Sequence, residues 1–573
     1  ILMVCTFGDA TDVQWWREQN LPLRPIIGHN GRLTEVTWFD GAFDSLRPEV
    51  AEKYYSEISG KNIKAARKQI VELLRNPAGS ISGDSPSLVG EPKAIEHPVK
   101  FFEKGERPLE FVTTRQWFVN VMDKKEQMLK KGDEVSWHPS FMKSRFVDWT
   151  QNLNLDWCIS RQRYFGVPFP LWYKLDSNGE ADFESPIVAE IKDLPVDPSE
   201  NPPPGYTNDQ RDQPDGFTAE ADVFDTWFTS SLTPQISSHW KLDEKRHNAL
   251  FPADIRPQSH EIIRTWAFYT MAKALLHEDS IPWKHVVISG WVLDPDRKKM
   301  SKSKGNTIVP MDLLEKYTSD GVRYWASSAR LGVDTAVDET IFKVGKRLVT
   351  KLYNASKFVL SHETEGALEV SNEIDRAFIE KLRELVIKNT SSFEQFDYAR
   401  VLADTETFFW RDFADAYIEL AKKRAWDGDN SAVATLRLSL NVVLRLFAPF
   451  VPYITEDIWS CVFAEETGHK SVHISPWPTA DGMRSISPPN SSESFATAVD
   501  CCYAINKKKT ELGASAVRST ESLTVITHPS TRNVLELVIE DVMGATRTSN
   551  WTLSDSEDVS TGEFDVTDLV FSD

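Results

Sequence analysis

Between Lys299 and Asn306 the chain reads Lys-Met-Ser-Lys-Ser-Lys-Gly-Asn, ammonium groups spaced by small or flexible side chains. Lysine carries a compact charge on a long stem, so Lys299 and Lys302 on a movable loop could grip phosphate and steady negative charge as it passes to a departing pyrophosphate. A solvated basic loop has the same composition, and charge density alone favours that plainer outcome. Glu261, in Ser259-His260-Glu261, offers a carboxylate where a strand hands over to a helix, a place from which an acid can accept hydrogen bonds from ribose hydroxyls. Ser259 is equally a natural N-cap and Glu261 a first-turn acid suited to the positive end of a helix dipole, which accounts for both with no ligand. Asp12 follows a glycine-bearing turn in Cys5-Thr6-Phe7-Gly8-Asp9-Ala10-Thr11-Asp12. It could hold a ligand ammonium, but aspartate is also ordinary turn chemistry, and spacing alone favours the turn.

Positioning these groups takes strands and helices of particular kinds. The nearly unbroken apolar run from His285 to Leu293 suits a strand buried on both faces of a parallel sheet, which delivers the lysine loop straight from a core element. Ile262, Ile263, Trp266, Ala267, Met271 and Leu275 make the helix opened by Ser259 apolar nearly all round, hence buried against that sheet. Residues 221–310 therefore read as the second half of a nucleotide-binding α/β unit. Upstream, residues 1–97 read as mixed α/β, with an opening strand and helices over Pro48 to Ile58 and Asn62 to Leu74. Residues 174–220 are rich in Pro, Asp and Asn; no core strand or helix is expected there, and the stretch reads as a surface insertion, mobile in part.

Downstream, Pro310 to Leu331 predicts two short helices separated by Thr318-Ser319. Lys343, Lys346, Arg347, Lys351 and Lys357 then recur at helical spacings near the start of an all-α region running to about residue 480. Trp410, Phe413, Tyr417 and Leu420 make one apolar stripe and Leu436, Leu440, Val443, Leu444 and Phe447 another, ended by Pro449 and Pro452, with a new helix starting at Thr455-Glu456-Asp457. Lys422-Lys423-Arg424 suits RNA phosphate or a helix C-terminus equally. Residues 495–573 read as a small module: Lys507 to Lys509 on a helix, Leu523, Val525 and Thr527 on a strand, Val534 to Val542 helical, and a loosely held end rich in Asp and Ser.

At 573 residues the chain should hold several domains, and 41% hydrophobic with 26% charged residues is an ordinary globular balance. A net charge of −20 argues against indiscriminate nucleic-acid binding, so DNA is not an expected partner and an RNA partner needs local basic faces. Cys5, Cys158, Cys461, Cys501 and Cys502 include no Cys-x-x-Cys pair and no neighbouring His cluster, so reduced buried thiols are expected, with neither zinc nor a disulfide framework. No run approaches a membrane span and Ile1 to Thr6 lack the marks of a signal peptide, so the default address is cytoplasmic. The apolar start Ile1-Leu2-Met3-Val4 reads as a cut inside a domain, so a fragment is expected.

The lysine loop with its Gly305-Asn306 is similar to the KMSKS signature of class I aminoacyl-tRNA synthetases. Asp156-Trp157-Cys158-Ile159-Ser160-Arg161-Gln162 resembles the run by which valyl and isoleucyl enzymes rejoin their catalytic domain after an editing insertion. Cys5 to Trp16 resembles the end of an editing motif in valyl enzymes of the archaeal and actinobacterial type. Tyr353 to Phe358 and Pro449 to Glu456 resemble runs of the anticodon-binding domain. By these motifs, in the family's order, the chain is identified as similar to valyl-tRNA synthetases, truncated at the N-terminus.

The resemblance implies an α/β and all-α multidomain protein: the second half of a class I Rossmann-type catalytic domain with a remnant of the editing insertion, followed by an anticodon-binding helix bundle. It divides the chain into the C-terminal part of an editing domain (1–97), a return into the catalytic domain (98–173), the surface insertion (174–220), the second catalytic half with the loop (221–310), stem-contact helices (311–345), the anticodon-binding domain (346–480) and the C-terminal module (495–573). It implies ATP-dependent activation of valine, transfer to tRNA(Val) and editing of mischarged threonine, with ATP brought as its Mg2+ complex. Lys299 and Lys302 become catalytic; Glu261, Lys299, Met300, Ser301, Lys302 and Ser303 bind ATP, Glu261 being one methylene longer than the aspartate usual there. Trp227 and Ile262 wall the valine side chain, unless they are simply core hydrophobes, and Asp12 contacts the amino group of a wrongly charged amino acid. Arg161 and Gln162 are expected to be structural. The family's His-x-Gly-His element does not occur in these residues, so the polypeptide as written is expected not to activate valine. An isoleucyl or leucyl enzyme, or a tRNA-binding protein that has lost catalysis, are the alternatives.

Overall fold

The computed structural model describes residues 10–39, 41–77, 85–96, 101, 108–301, 305–362 and 368–572. The chain divides into two units, Ile1–Phe118 with Cys158–Ser160, and Val119–Trp157 with Arg161–Asp573. The strand expected at Ile1 to Val4, and Cys5 to Asp9 of the motif ending at Asp12, lie outside the described residues.

The first unit carries α1 (Ala10–Glu18), α2 (Pro48–Ser56) and α3 (Ile63–Arg75). Pro48 opens α2 where a missing N–H costs nothing, and the Asn62 side chain accepts from Ala65 N at 2.9 Å to cap α3. The stripe expected on α3 is half covered: Ala66 is buried, while Ile70 and Leu74 line an apolar groove of about 310 Å³ with Trp38, Tyr54, Tyr55 and Ile58.

The second unit begins with α4 (Lys125–Glu134), β1 (Ser136–His138) and α5 (Lys143–Gln151). An antiparallel sheet follows, β2 (Leu171–Lys174), β3 (Ile187–Val188) and β4 (Phe217–Ala219), in the order β3-β2-β4. It corrects the expectation that no core strand enters 174–220: Phe217 is fully buried and Lys174 pairs with it in register, so the proline-rich stretch begins and ends on paired strands.

Next come α6 (Thr226–Ser230), β5 (Ala253–Ser259), α7 (Phe268–Glu278) and β6 (Trp283–Ser289). β6 lies between β1 and β5 with all three parallel, and its Trp283, Val286 and Ile288 are fully buried, as a central strand of this kind requires. It is shorter than its apolar run suggests. At Gly290 the backbone passes so close to another segment that a Cβ would stand 2.2 Å from the Val333 carbonyl oxygen. The chain resumes as β7 (Val292–Leu293), paired in parallel with β8 (Thr335–Ala336).

α8 (Pro310–Ser328) shows the expected break as a kink at Thr318, whose φ is +69°. The helical region comprises α9 (Glu339–Leu360), α10 (Glu373–Glu394), α11 (Tyr398–Thr407), a π-helical stretch Phe408–Tyr417, α12 (Ile418–Trp426), α13 (Asn430–Phe447) and α14 (Pro452–Cys461). Leu436, Leu440, Val443, Leu444 and Phe447 are all fully buried. α14 starts at Pro452, ahead of the expected Thr455, because buried Asp320 accepts from Tyr453 N at 3.1 Å and Ile454 N at 2.8 Å and so satisfies its first donors.

The module consists of α15 (Ser494–Glu511), β9 (Thr520–Thr527), α16 (Pro529–Leu535), α17 (Ile539–Thr546), β10 (Thr548–Asp555) and β11 (Phe564–Phe571), with sheet order β10-β9-β11. The single helix expected over Val534 to Val542 is two. The chain's end, expected to be loose, is β11, hydrogen-bonded antiparallel to β9. Ile505, Leu523, Val525 and Val542 share one hydrophobic core with the bundle's Leu436 and Phe447, so the module is an extension of the bundle. Among the described residues no helix is long and apolar enough to cross a membrane.

Candidate active site

The register of the parallel sheet decides which side chains meet. Ser259, the last residue of β5, pairs with Ser289, the last of β6, and parallel strands release their chains on one edge, the carboxyl edge where α/β sheets bind ligands. Two residues further along each chain stand Glu261 and Trp291. The indole N–H of Trp291 donates to Glu261 Oε2 at 2.9 Å. Lys299 Nζ donates to Oε1 at 2.5 Å and lies 4.5 Å from the centre of the Trp291 ring. These donors, Lys299 first, hold the Glu261 carboxyl below its ordinary range. Lys299 and Glu261 side chains are 50% and 46% exposed, so the pair faces solvent and can exchange partners.

Trp291 itself is fastened. Its backbone N–H donates to Asp334 Oδ1 at 2.8 Å, its carbonyl accepts from Thr335 N at 2.9 Å, and its ring packs 4.9 Å from that of His260. Asp334 also meets His260 Nε2 at 3.2 Å; the Trp291 N–H, and then His260, keep this carboxyl below its usual range. The root of the lysine loop is closed as well. Leu293 and Lys299 form an antiparallel bridge. Buried Asp294 accepts from Lys298 N at 2.7 Å and Asn306 Nδ2 at 2.8 Å, and Asn306 Oδ1 accepts from Ser301 N at 2.9 Å. Met300 packs with Ile308 against Tyr317, Val337 and Phe342. Lys299 is thus anchored through its backbone and its freedom lies in its side chain. Lys302 and Ser303 lie outside the described residues.

Ser259 Oγ accepts from Glu261 N at 3.4 Å, the cap its position suggests. The helix it opens is not regular: a tight turn at His260–Ile262 and a π-helical stretch at Ile263–Ala267 precede α7. Such widened turns recur at functional sites. Here the turn buries Ile263, Trp266 and Ala267 and leaves Ile262 half-buried. α6 packs against it, with Trp227 likewise half-buried. Buried Asp225 caps α6 through Trp227 N at 3.3 Å and accepts an ion pair from Arg161 at 3.1 Å, while Gln162 donates to Asp222 at 2.8 Å. Arg161 and Gln162 therefore brace α6. The adjoining Phe228 carries the Lys273 ammonium 3.2 Å from its ring centre, and burial lowers that lysine to about 8.

Asp12 sits half-buried in the first turn of α1, in the first unit, where a carboxylate suits the helix dipole. Among the described residues no group of three or more His, Cys, Asp and Glu converges to hold a metal ion. Trp291 and Asp334 carry no mark in the chain: the first reads as one more apolar strand residue, and the second joins it from 43 residues away. The glycine at 290, the one residue without a Cβ in that apolar run, is the signal that could have pointed to a close backbone crossing there.

Two family descriptions match the chain: tRNA synthetases class I (I, L, M and V) over residues 16–338, and the anticodon-binding domain of tRNA ligase over residues 375–524. The valine–tRNA ligase of Thermobifida fusca (strain YX) is 45% identical over 570 residues, covering 97% of this chain and 62% of that protein. That of Leifsonia xyli subsp. xyli (strain CTCB07) is 46% identical over 494 residues, 84% of this chain and 55% of that protein. The chain thus spans less than two thirds of the length of these curated relatives. Among solved structures, the ternary complex of Agrobacterium radiobacter K84 agnB2 LeuRS with tRNA and LeuAMS aligns with a TM-score of 0.46 at 22% identity, over 58% of this chain and 43% of that one.

Proposed function

This chain belongs to the class I tRNA synthetases of the isoleucine, leucine, methionine and valine group, and from that membership we propose that it is the part of a valine–tRNA ligase bearing the lysine loop, half of the nucleotide site and the anticodon-binding bundle. The reaction is activation of valine by ATP, brought as its magnesium complex, and transfer of the valyl group to the terminal ribose of tRNA(Val). The valine carboxylate attacks the α-phosphorus and pyrophosphate leaves; such chemistry is chiefly positioning and charge stabilisation. The Lys299 and Lys302 ammonium groups are assigned to the phosphates, and Met300, Ser301 and Ser303 to the ATP-binding segment that carries them. Glu261 accepts from the ribose hydroxyls. Trp227 and Ile262 wall the valine side chain. Apolar walls reject poorly a side chain that swaps methyl for hydroxyl, valyl enzymes against threonine being the standing example, and Asp12 is assigned to the editing of that product. The exposed Lys343, Lys346, Arg347 and Lys357 on α9 give tRNA a local basic face on an acidic chain, and the cytoplasm is where such an enzyme works.

One observation carries this reading: Lys299 and Glu261 meet at the carboxyl edge of a parallel sheet, with the walls of Trp227 and Ile262 on adjoining elements. Valine-dependent ATP–pyrophosphate exchange by a full-length protein containing this chain tests it. Exchange is expected with valine, weakly with isoleucine and leucine, and Lys299→Ala is expected to lower it about 100-fold, the scale of losing one transition-state donor. Absence of exchange, or equal rates with isoleucine, overturns the reading.

A further inference from the structure

Glu261 presents two carboxylate oxygens with different partners. Oε2 is taken by the Trp291 indole N–H, and Oε1 by the Lys299 ammonium. An indole can only donate and its ring is rigid, whereas a lysine stem rotates freely. The Trp291 backbone is bonded through its N–H to Asp334 and through its carbonyl to Thr335, and its ring contacts both His260 and Lys299. Trp291 is half-buried, so water could satisfy its N–H; instead the N–H is committed to the same carboxylate that holds the lysine lying over its ring.

We propose that Trp291 is a positioning residue for nucleotide binding, acting through both members of the ion pair. Its ring parks Lys299 beside the site, and its N–H fixes one oxygen of Glu261. When phosphate draws Lys299 away, Oε1 is left free for a ribose hydroxyl while Oε2 stays fastened, so the carboxylate changes partner without swinging. This role rests on the nucleotide-binding reading of the same site.

Full-length variants test it. Trp291→Phe keeps a ring face and removes the N–H; Trp291→Leu removes both. Trp291→Phe is expected to raise KM for ATP about threefold to tenfold with kcat for pyrophosphate exchange nearly unchanged, the range of one ordinary hydrogen bond at a half-exposed site. Trp291→Leu is expected to lower kcat as well, by about tenfold, as a cation–π contact allows. In a Lys299→Ala background, Trp291→Leu is expected to lower kcat no further, since its effect on kcat passes through that lysine. Losses of kcat that multiply in the double variant, or a Trp291→Leu protein with both constants within about twofold of the parent, overturn the proposal. Should Trp291→Leu fail to fold, an unchanged KM for ATP in Trp291→Phe overturns it alone. A parent protein that shows no valine-dependent exchange would overturn the functional reading instead, which separates the two failures.

Discussion

Lys299 and Lys509 both stand in runs of cations, and the fold treats them in opposite ways. Lys509 is fully buried and donates to the carbonyls of Ala516, Arg518 and Thr546 at 3.4, 2.8 and 2.5 Å. Lys299 is half-exposed, with one carboxylate and one ring face for company. Backbone acceptors cannot move without unfolding the segment that bears them, so Lys509 is a fastener for the module. A surface carboxylate can change partner at little cost, because exposed ion pairs are weak, so Lys299 is available to a ligand. Arg424 belongs with Lys509: it bonds Asp375, Asp429 and Asp541 at 2.6 to 3.0 Å and ties α17 of the module to the bundle.

The sharpest way to break that contrast is Lys509→Met. Stranding the buried Thr546 carbonyl and two partly buried ones is expected to cost about 3 kcal/mol, read as faster hydrogen exchange across Thr520–Thr527; protection unchanged there would mean the lysine fastens nothing. Lys299→Ala comes next, with the roughly 100-fold loss of exchange activity already given and no change in unfolding midpoint. A drop in midpoint would make it structural after all. Lys273 supplies an intermediate case, buried with its ammonium over the Phe228 ring and His277 close enough to feel its charge. Its folded value is about 8, below the ordinary 10.4 of an unfolded lysine. Between those values the unfolded chain binds more protons, so stability is expected to rise with pH from about 8 to about 10. Lys273→Met should flatten that rise, and a parent with no rise would contradict the burial. The smallest effect is expected for Glu261→Gln, whose removal of an exposed pair should change stability by less than about 0.5 kcal/mol; a larger loss, measured by urea unfolding, would place Glu261 among the fasteners.

How much could be read beforehand differs by element. Strand β6, helix α13 and the strand of Leu523, Val525 and Thr527 were legible because burial is written into periodicity. The insertion was misread at its ends, since proline content masks short strands that start beside it. The end of the chain was misread because Asp565, Thr567 and Asp568 are interspersed there with Phe564, Val566 and Leu569, which face the core, and a strand with one polar face looks loose by composition. The π-helical stretches at Ile263–Ala267 and Phe408–Tyr417 left no trace, as one extra residue per turn does not disturb an already apolar run.

The sequence by itself determined the chemistry on offer: which cations stand in the loop after a core strand, which acid caps the helix after its neighbour, and which stripes are apolar. Those are properties of residues close together along the chain, set by local sterics and hydrophobic spacing. Only the tertiary structure decided that Glu261 and Trp291 meet, because the pairing of Ser259 with Ser289 is a long-range register between parallel strands, and that one lysine is locked while another is left free, because burial depends on what the rest of the chain packs on top.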